Sequence, residues 1–126
     1  MKLRVKGNSL RLRVSPSEMA RLLQTGRIEE TIHFAPQEDA KLTYGIEHAA
    51  TGQEISVRYR PQEVMVVLST DAAHQWAEGE QVGICGAFNV GPDQLALLVE
   101  KDFACLDGKD SDNEDTFANP KSGVVC

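Results

Sequence analysis

The chain has 126 residues, of which 41% are hydrophobic and 25% are charged, and its formal net charge is −6. This length and composition are typical of one globular domain, and the negative charge argues against nucleic-acid binding by the intact chain. The longest aliphatic runs, residues 64–68 and 95–99, are far shorter than the roughly 20 residues that span a bilayer, so we predict no membrane segment.

The N-terminus and the cysteines indicate a cytoplasmic protein. The N-terminus lacks the continuous apolar stretch of a secretory signal. The three cysteines form no C-x-x-C pair, so the sequence predicts neither a disulfide framework nor a zinc ribbon.

Cationic and apolar side chains alternate over residues 2–14, and the alternation slips by one position at Gly7. A two-residue hairpin turn there pairs Arg4 with Arg11, and a β-bulge in one long strand gives the same sidedness. In either arrangement five cations share one side of a sheet, which we call the cationic face: Lys2, Arg4, Lys6, Arg11 and Arg13.

Two short helices are predicted from their first and last residues. The segment Ser15-Pro16-Ser17-Glu18 is a capping box with proline at the first helical position, and Gly26 supplies a left-handed stop. Ser69 opens a second helix that ends at Gly79. Apolar residues at alternate positions predict further strands at residues 27–34, 41–48, 55–60, 82–88 and 95–99, and the apolar run at residues 64–68 predicts a strand buried on both faces.

These elements predict an α+β domain of about seven or eight mainly antiparallel strands, curled into a barrel-like or strongly twisted sheet with two short helices over its open ends. We expect residues 1–106 to form this domain and residues 107–126 to form an acidic, partly disordered tail.

The order of elements from residue 10 to 46 occurs again from residue 64 to 99, with Ser69 in the place of Ser15. A duplicated β-α-β-β unit accounts for this order, and so does a recurrent local motif. Duplication predicts pseudo-twofold symmetry with a site between the halves.

The opening K-L-R-V-K-G-N-S-L-R-L-R, the S-P-S-E cap and the closing E-K-D-F-A-C-L with a later F-A-N-P resemble a family of small bacterial proteins of unknown function. The resemblance spans nearly the whole chain. It implies no activity, because none is established for the family.

The cationic face is the most distinctive functional feature, because like charges placed across from each other on a sheet are destabilising unless nearby anions neutralise them. The counter-charge is either internal, from outward acids (Glu29, Glu47, Glu54, Glu100) or the acidic tail, or it is an anionic small molecule or an acidic protein surface. The second reading predicts a non-catalytic binding module, in which the tail competes for the face. The sequence is also compatible with a homodimer.

The alternative is a small enzyme. Cys105 follows Lys101 closely, so a cation near the thiol favours a nucleophilic thiolate. Glu100 and Asp102 lie two residues apart on one strand face, where two carboxylates beside cations suit metal-dependent phosphoryl chemistry.

No cofactor motif is present, and we predict no metal site. His33 and His48 lie at opposite ends of the hairpin predicted at residues 27–48, and His74 has no histidine four residues on. Asp110, Asp112 and Glu114 alternate like calcium ligands, but Asp115 stands where a calcium loop needs glycine.

Overall fold

The computed structural model describes residues 1–103 and 115–117. These residues form eight strands and two helices in the order β1 (Lys2–Val5), β2 (Ser9–Val14), α1 (Pro16–Thr25), β3 (Arg27–His33), β4 (Lys41–Ala49), β5 (Ile55–Arg60), β6 (Glu63–Ser69), α2 (Thr70–Glu78), β7 (Gly83–Val90) and β8 (Asp93–Lys101). The predicted α+β class, strand number and pair of helices are therefore confirmed. Neither helix has the length and apolar character needed to cross a membrane, in the part of the chain described.

The strands form two four-stranded sheets, which we call sheet A (order β1-β2-β8-β7) and sheet B (order β3-β4-β6-β5). The expectation of one barrel-like sheet is wrong, because each helix carries the chain from one sheet to the other. The four hairpins are antiparallel, but the central pairs β2–β8 and β4–β6 are parallel, so the sheets are mixed. Alternation along a strand reports which side is buried, but not the partner or its direction.

The N-terminal hairpin has the predicted register. Gly7 adopts φ +55° in the two-residue turn, and Lys6 and Ser9 exchange backbone hydrogen bonds across it. Arg4 lies opposite Arg11, and the alternation on either side of the turn therefore keeps the cations on one side of the sheet.

Helix α1 begins with the predicted capping box. The Ser15 hydroxyl accepts from the Glu18 backbone N–H, and the Glu18 carboxylate accepts from the Ser15 backbone N–H at 3.0 Å. Gly26 ends the helix at φ +82°. The amino group of Met1 also donates to the Glu18 carboxylate, which ties β1 to the start of the helix.

One core lies beneath the helices and between the inner faces of the two sheets. Its largest fully buried side chains come from both helices and both sheets: Trp76, Leu22, Ile46, Leu68, Leu97, Val14, Val66 and Val99. The Trp76 indole N–H donates to the Val82 carbonyl at 3.0 Å, so its polar atom is satisfied.

The two halves of the chain have the same pairing scheme. Each half is a hairpin, a helix and a second hairpin, and β2 pairs with β8 as β6 pairs with β4. Ser9 opens the first parallel ladder opposite Ala96, and Glu63 opens the second opposite Thr43. Ser9 and Glu63 therefore hold equivalent positions in sheets A and B.

Burial of the Glu18 carboxylate raises its pKa, but the bonds from the Met1 amino group and from Ser15 outweigh this effect and bring the pKa below its ordinary value of 4.5. The ionised form therefore stabilises the fold above about pH 4.5, and this contribution disappears as the pH falls through the lowered pKa. We expect Glu18→Gln to reduce the free energy of unfolding by about 1–3 kcal/mol at pH 7 and by much less in acid. Urea unfolding at neutral and acid pH measures both values.

The matched control is Glu38→Gln, in the exposed loop between β3 and β4, which should change neither value. If Glu18→Gln lowers the free energy of unfolding by the same amount at both pH values, the role given to the ionised carboxylate is contradicted.

Candidate anion-binding site

The cationic face is the outer side of sheet A. Along one row, Arg4, Arg11, Leu98 and Cys85 lie side by side across the four strands. The alternate row, which points inward, belongs to the core: Leu3, Leu12, Val99 and Ile84. The same alternation that builds the core therefore displays the cations on the opposite side.

Three of the cations are paired with acids of the C-terminal strand region. Glu100 lies 2.6 Å from the Arg11 Nε and accepts a 2.7 Å hydrogen bond from the Arg13 Nε. Lys2 pairs with Asp102 at 2.8 Å. Internal neutralisation by Glu100 is thus confirmed for this part of the face.

Arg4 and Lys6 are different, because neither side chain has an ion pair or hydrogen bond with any residue that the structure describes. Both are exposed, and they border an open concavity of about 560 Å³. The apolar floor of the concavity continues across β8 and β7: Ala96, Leu98, Cys85 and Ala87. The turn beside it is held in place, since Asn8 donates to the Gln94 carbonyl at 2.9 Å.

The outer side of sheet B carries a network of ion pairs around Arg58 and Arg27 instead. Arg58 pairs with Glu47 at 2.8 Å and with Glu63 at 3.2 Å. Arg27 contacts the same two acids, and a third, Glu29, lies 3.3 Å from its guanidinium. The bond to Glu29 raises the pKa of Arg27. Arg58 and Arg27 are therefore paired with acids of the protein itself, whereas the exposed Arg60, at the position equivalent to Lys6, has no ion pair among the described residues.

The registers show why sheet A lacks such a network. Arg4 lies opposite Arg11, two positions after Ser9, and Arg58 lies opposite Met65, two positions after Glu63. Arg4 and Arg58 are therefore equivalent. The strand registers also make the following positions of sheets A and B equivalent: Ser9 and Glu63, Cys85 and Glu29, and Glu100 and Glu47. Where sheet B has Glu63 and Glu29, sheet A has a serine and a cysteine.

The residues considered for catalysis do not converge on one point. Lys101 is 7% exposed, and its Nζ donates to the Gly79 carbonyl at 2.8 Å, where burial lowers its pKa. Glu100 and Asp102 are bound by the cations of β1 and β2. Cys105 lies outside the described residues, as do the calcium-like positions 110, 112 and 114.

Cys85 is the site residue that sequence reasoning missed. It is exposed on the floor of the concavity. The alternation of side chains along β7 could have identified it: Ile84 faces the core, so the next residue, Cys85, must face outward. An outward position occupied by a small apolar residue instead of a polar one was the missed indication.

The histidines form no evident metal site. The rings of His48 and His74 meet edge to face at 6.0 Å, and the His48 Nδ1 lies 3.2 Å from the Thr70 hydroxyl. Within residues 1–103 and 115–117, no group of three or more side chains is placed to hold a metal ion.

Residues 115–117 of the predicted tail are described, and Asp115 and Phe117 contact the domain. Asp115 accepts from the Ser17 backbone N–H at 3.2 Å, at the start of α1. Phe117 forms a β-bridge with Phe103, and their rings meet edge to face at 6.0 Å.

The model of a family described as a family of unknown function (DUF7009) matches residues 1–121, so the chain belongs to that family. The resemblance noted in the sequence is therefore confirmed. Searches of curated proteins and of solved structures find no match to the chain.

Glu100 is the shared counter-ion of Arg11 and Arg13, so Glu100→Gln should leave both guanidiniums repelling each other and their neighbours on β1. We expect a loss of about 1–3 kcal/mol in the free energy of unfolding. The loss should shrink at high sodium chloride, because salt screens repulsion between exposed charges. Urea unfolding in low and high salt measures it.

Glu47→Gln is the matched control, because it removes the equivalent carboxylate of sheet B while Glu63 and Glu29 remain beside the arginines. Its loss in the free energy of unfolding should be smaller and less dependent on salt. Equal deficits for the two variants would mean that Glu100 has no special role.

Proposed function

We propose that this member of a family of unknown function is a non-catalytic binding module whose cationic face takes an anionic ligand or partner. The observation that carries the proposal is the pair Arg4 and Lys6, which have no acidic partner among the described residues. They stand at the rim of an open concavity.

The comparison with sheet B supports this proposal. Glu47 and Glu63 pair with Arg58 at the position equivalent to Arg4, so the scaffold accommodates internal counter-charges at this position. Sheet A keeps Arg4 without them, although adjacent like charges on a sheet are destabilising. Stability given up at one surface is commonly associated with function at that surface.

The size and surroundings of the concavity also suit a ligand. Its volume of about 560 Å³ falls within the roughly 300–1,000 Å³ of small-molecule sites. Arg11 supplies a third cation at the rim, and it shares Glu100, its only acidic partner among the described residues, with Arg13.

A binding role is favoured over catalysis because the nearby acids and Lys101 are already engaged in ion pairs or hydrogen bonds. Glu100 and Asp102 are each occupied by a cation, and Lys101 donates to a carbonyl away from the concavity. Among the described residues that line the concavity, there is therefore no carboxylate or histidine beside Arg4 to transfer a proton.

The direct test adds the missing carboxylate. In the wild-type protein, tripolyphosphate should bind, with the largest amide NMR shifts at Arg4, Lys6 and Ser9. Ser9→Glu should weaken this binding at least about tenfold, because the new side chain meets Arg4 as Glu63 meets Arg58. An NMR titration measures both affinities.

Ser56→Glu is the matched control, since it adds the same charge on the outer side of sheet B. It should change the affinity little. An equal loss from both variants would indicate a general charge effect, and absence of wild-type binding would contradict the proposed function.

The acidic segment is proposed as a competitor for the face. Neutralising Asp107, Asp110, Asp112 and Glu114 as amides, while Asp115 and Phe117 are retained, should tighten tripolyphosphate binding several-fold at low salt. The same titration measures it, and a variant with Glu38→Gln, Asp39→Asn, Glu54→Gln and Glu80→Gln is the control for the same change in net charge. Unchanged affinity would exclude competition by these acids.

A further inference from the structure

We infer that the ligand of the cationic face is a small amphipathic carboxylate, with its carboxylate at Ser9 between Arg4 and Lys6 and its apolar body across β8 and β7. This inference rests on the proposed function and names the chemistry of its ligand. It is drawn from the equivalence of the two sheets and from the apolar floor of the concavity.

The carboxylate end follows from sheet B. There the Arg58 guanidinium binds the carboxylates of Glu47 and Glu63 at 2.8 and 3.2 Å. Arg4 occupies the equivalent position, but Ser9 stands in the place of Glu63, and Glu100, in the place of Glu47, pairs with Arg11 and Arg13 instead. A ligand carboxylate at this point restores the interaction, because the planar guanidinium matches the two oxygens of a carboxylate.

The apolar end follows from the residues beside Ser9. Ser9 lies opposite Ala96, which lies opposite Ala87, and the neighbouring row continues through Leu98 to Cys85. Outward positions of a solvated sheet are commonly polar, but these four are small or apolar. Ala96, Ala87 and Cys85 are exposed, so the floor is accessible to a ligand.

The separation of the two ends limits the size of the ligand. Adjacent strands lie about 4.8 Å apart, so the floor extends roughly 10 Å from Ser9 to Ala87. Cations lie only on the β1 and β2 side of this span, which distinguishes the site from a groove for a long polyanion. An acidic protein segment would use the cations without needing the apolar floor.

The experiment is a titration with a series of linear carboxylates from butyrate to decanoate, each below its micelle-forming concentration. Affinity should rise about two- to fourfold for each added methylene and stop rising once the floor is covered. Decanol and decyltrimethylammonium should bind at least about tenfold more weakly than decanoate. Decanoate should also slow alkylation of Cys85 by a neutral maleimide, followed by peptide mass mapping.

Two variants locate the ligand. Ala87→Gln places a polar side chain on the floor and should reduce the gain per methylene, whereas Ser56→Gln on the outer side of sheet B should leave the series unchanged. Ser9→Glu should remove carboxylate binding at every length.

The outcomes separate this inference from the proposed function. If tripolyphosphate binds at Arg4 and Lys6 but affinity for carboxylates does not depend on chain length, the amphipathic ligand is wrong and the anion-binding face remains. If decyltrimethylammonium matches decanoate, or if Ser9→Glu leaves the series intact, the carboxylate is not recognised and the inference fails. If neither class binds, both proposals fail.

Discussion

The parallel pairing of β2 with β8 is the contact on which the candidate site depends. It places the C-terminal hairpin beside the N-terminal hairpin, in register from Ser9 opposite Ala96 to Val14 opposite Lys101. Without it, the cations of β1 and β2 would stand on an isolated hairpin, which is marginally stable in water. With it, the inward residues join the common core, and the outward residues form one surface with cations on one half and apolar side chains on the other.

The two sheets show two solutions to the same electrostatic problem. In sheet B, Glu63 and Glu47 lie against Arg58, and Met65 on the same outer side is fully buried. In sheet A, Glu100 is divided between Arg11 and Arg13, and Arg4 is left without a described partner. The backbone pairings are equivalent, so the difference lies in the side chains: sheet A has Ser9 where sheet B has Glu63, and it has Arg11 and Arg13 where sheet B has Met65 and Val67.

Local features of this fold were readable from the sequence, and long-range ones were not. The capping box at Ser15, the turn at Gly7 and the sidedness of the cations follow from short-range geometry and were predicted correctly. The division into two sheets was missed, because it depends on β8 returning beside β2, a contact between residues far apart in sequence. The cations of the candidate site were predicted, but its floor was not, since Cys85 and Ala87 become neighbours of Arg11 only through that pairing.

Position 9 links stability to binding in this scaffold. A glutamate there would meet Arg4 as Glu63 meets Arg58, which would neutralise the hairpin and fill the space offered to a ligand. Glu100 acts in the opposite sense, since it holds Arg11 and Arg13 along β2 and confines the unpaired charge to Arg4 and Lys6 at the rim of the concavity. The proposed site therefore requires both residues as they stand: a carboxylate at position 100 to hold most of the face together, and none at position 9, so that an external carboxylate completes it.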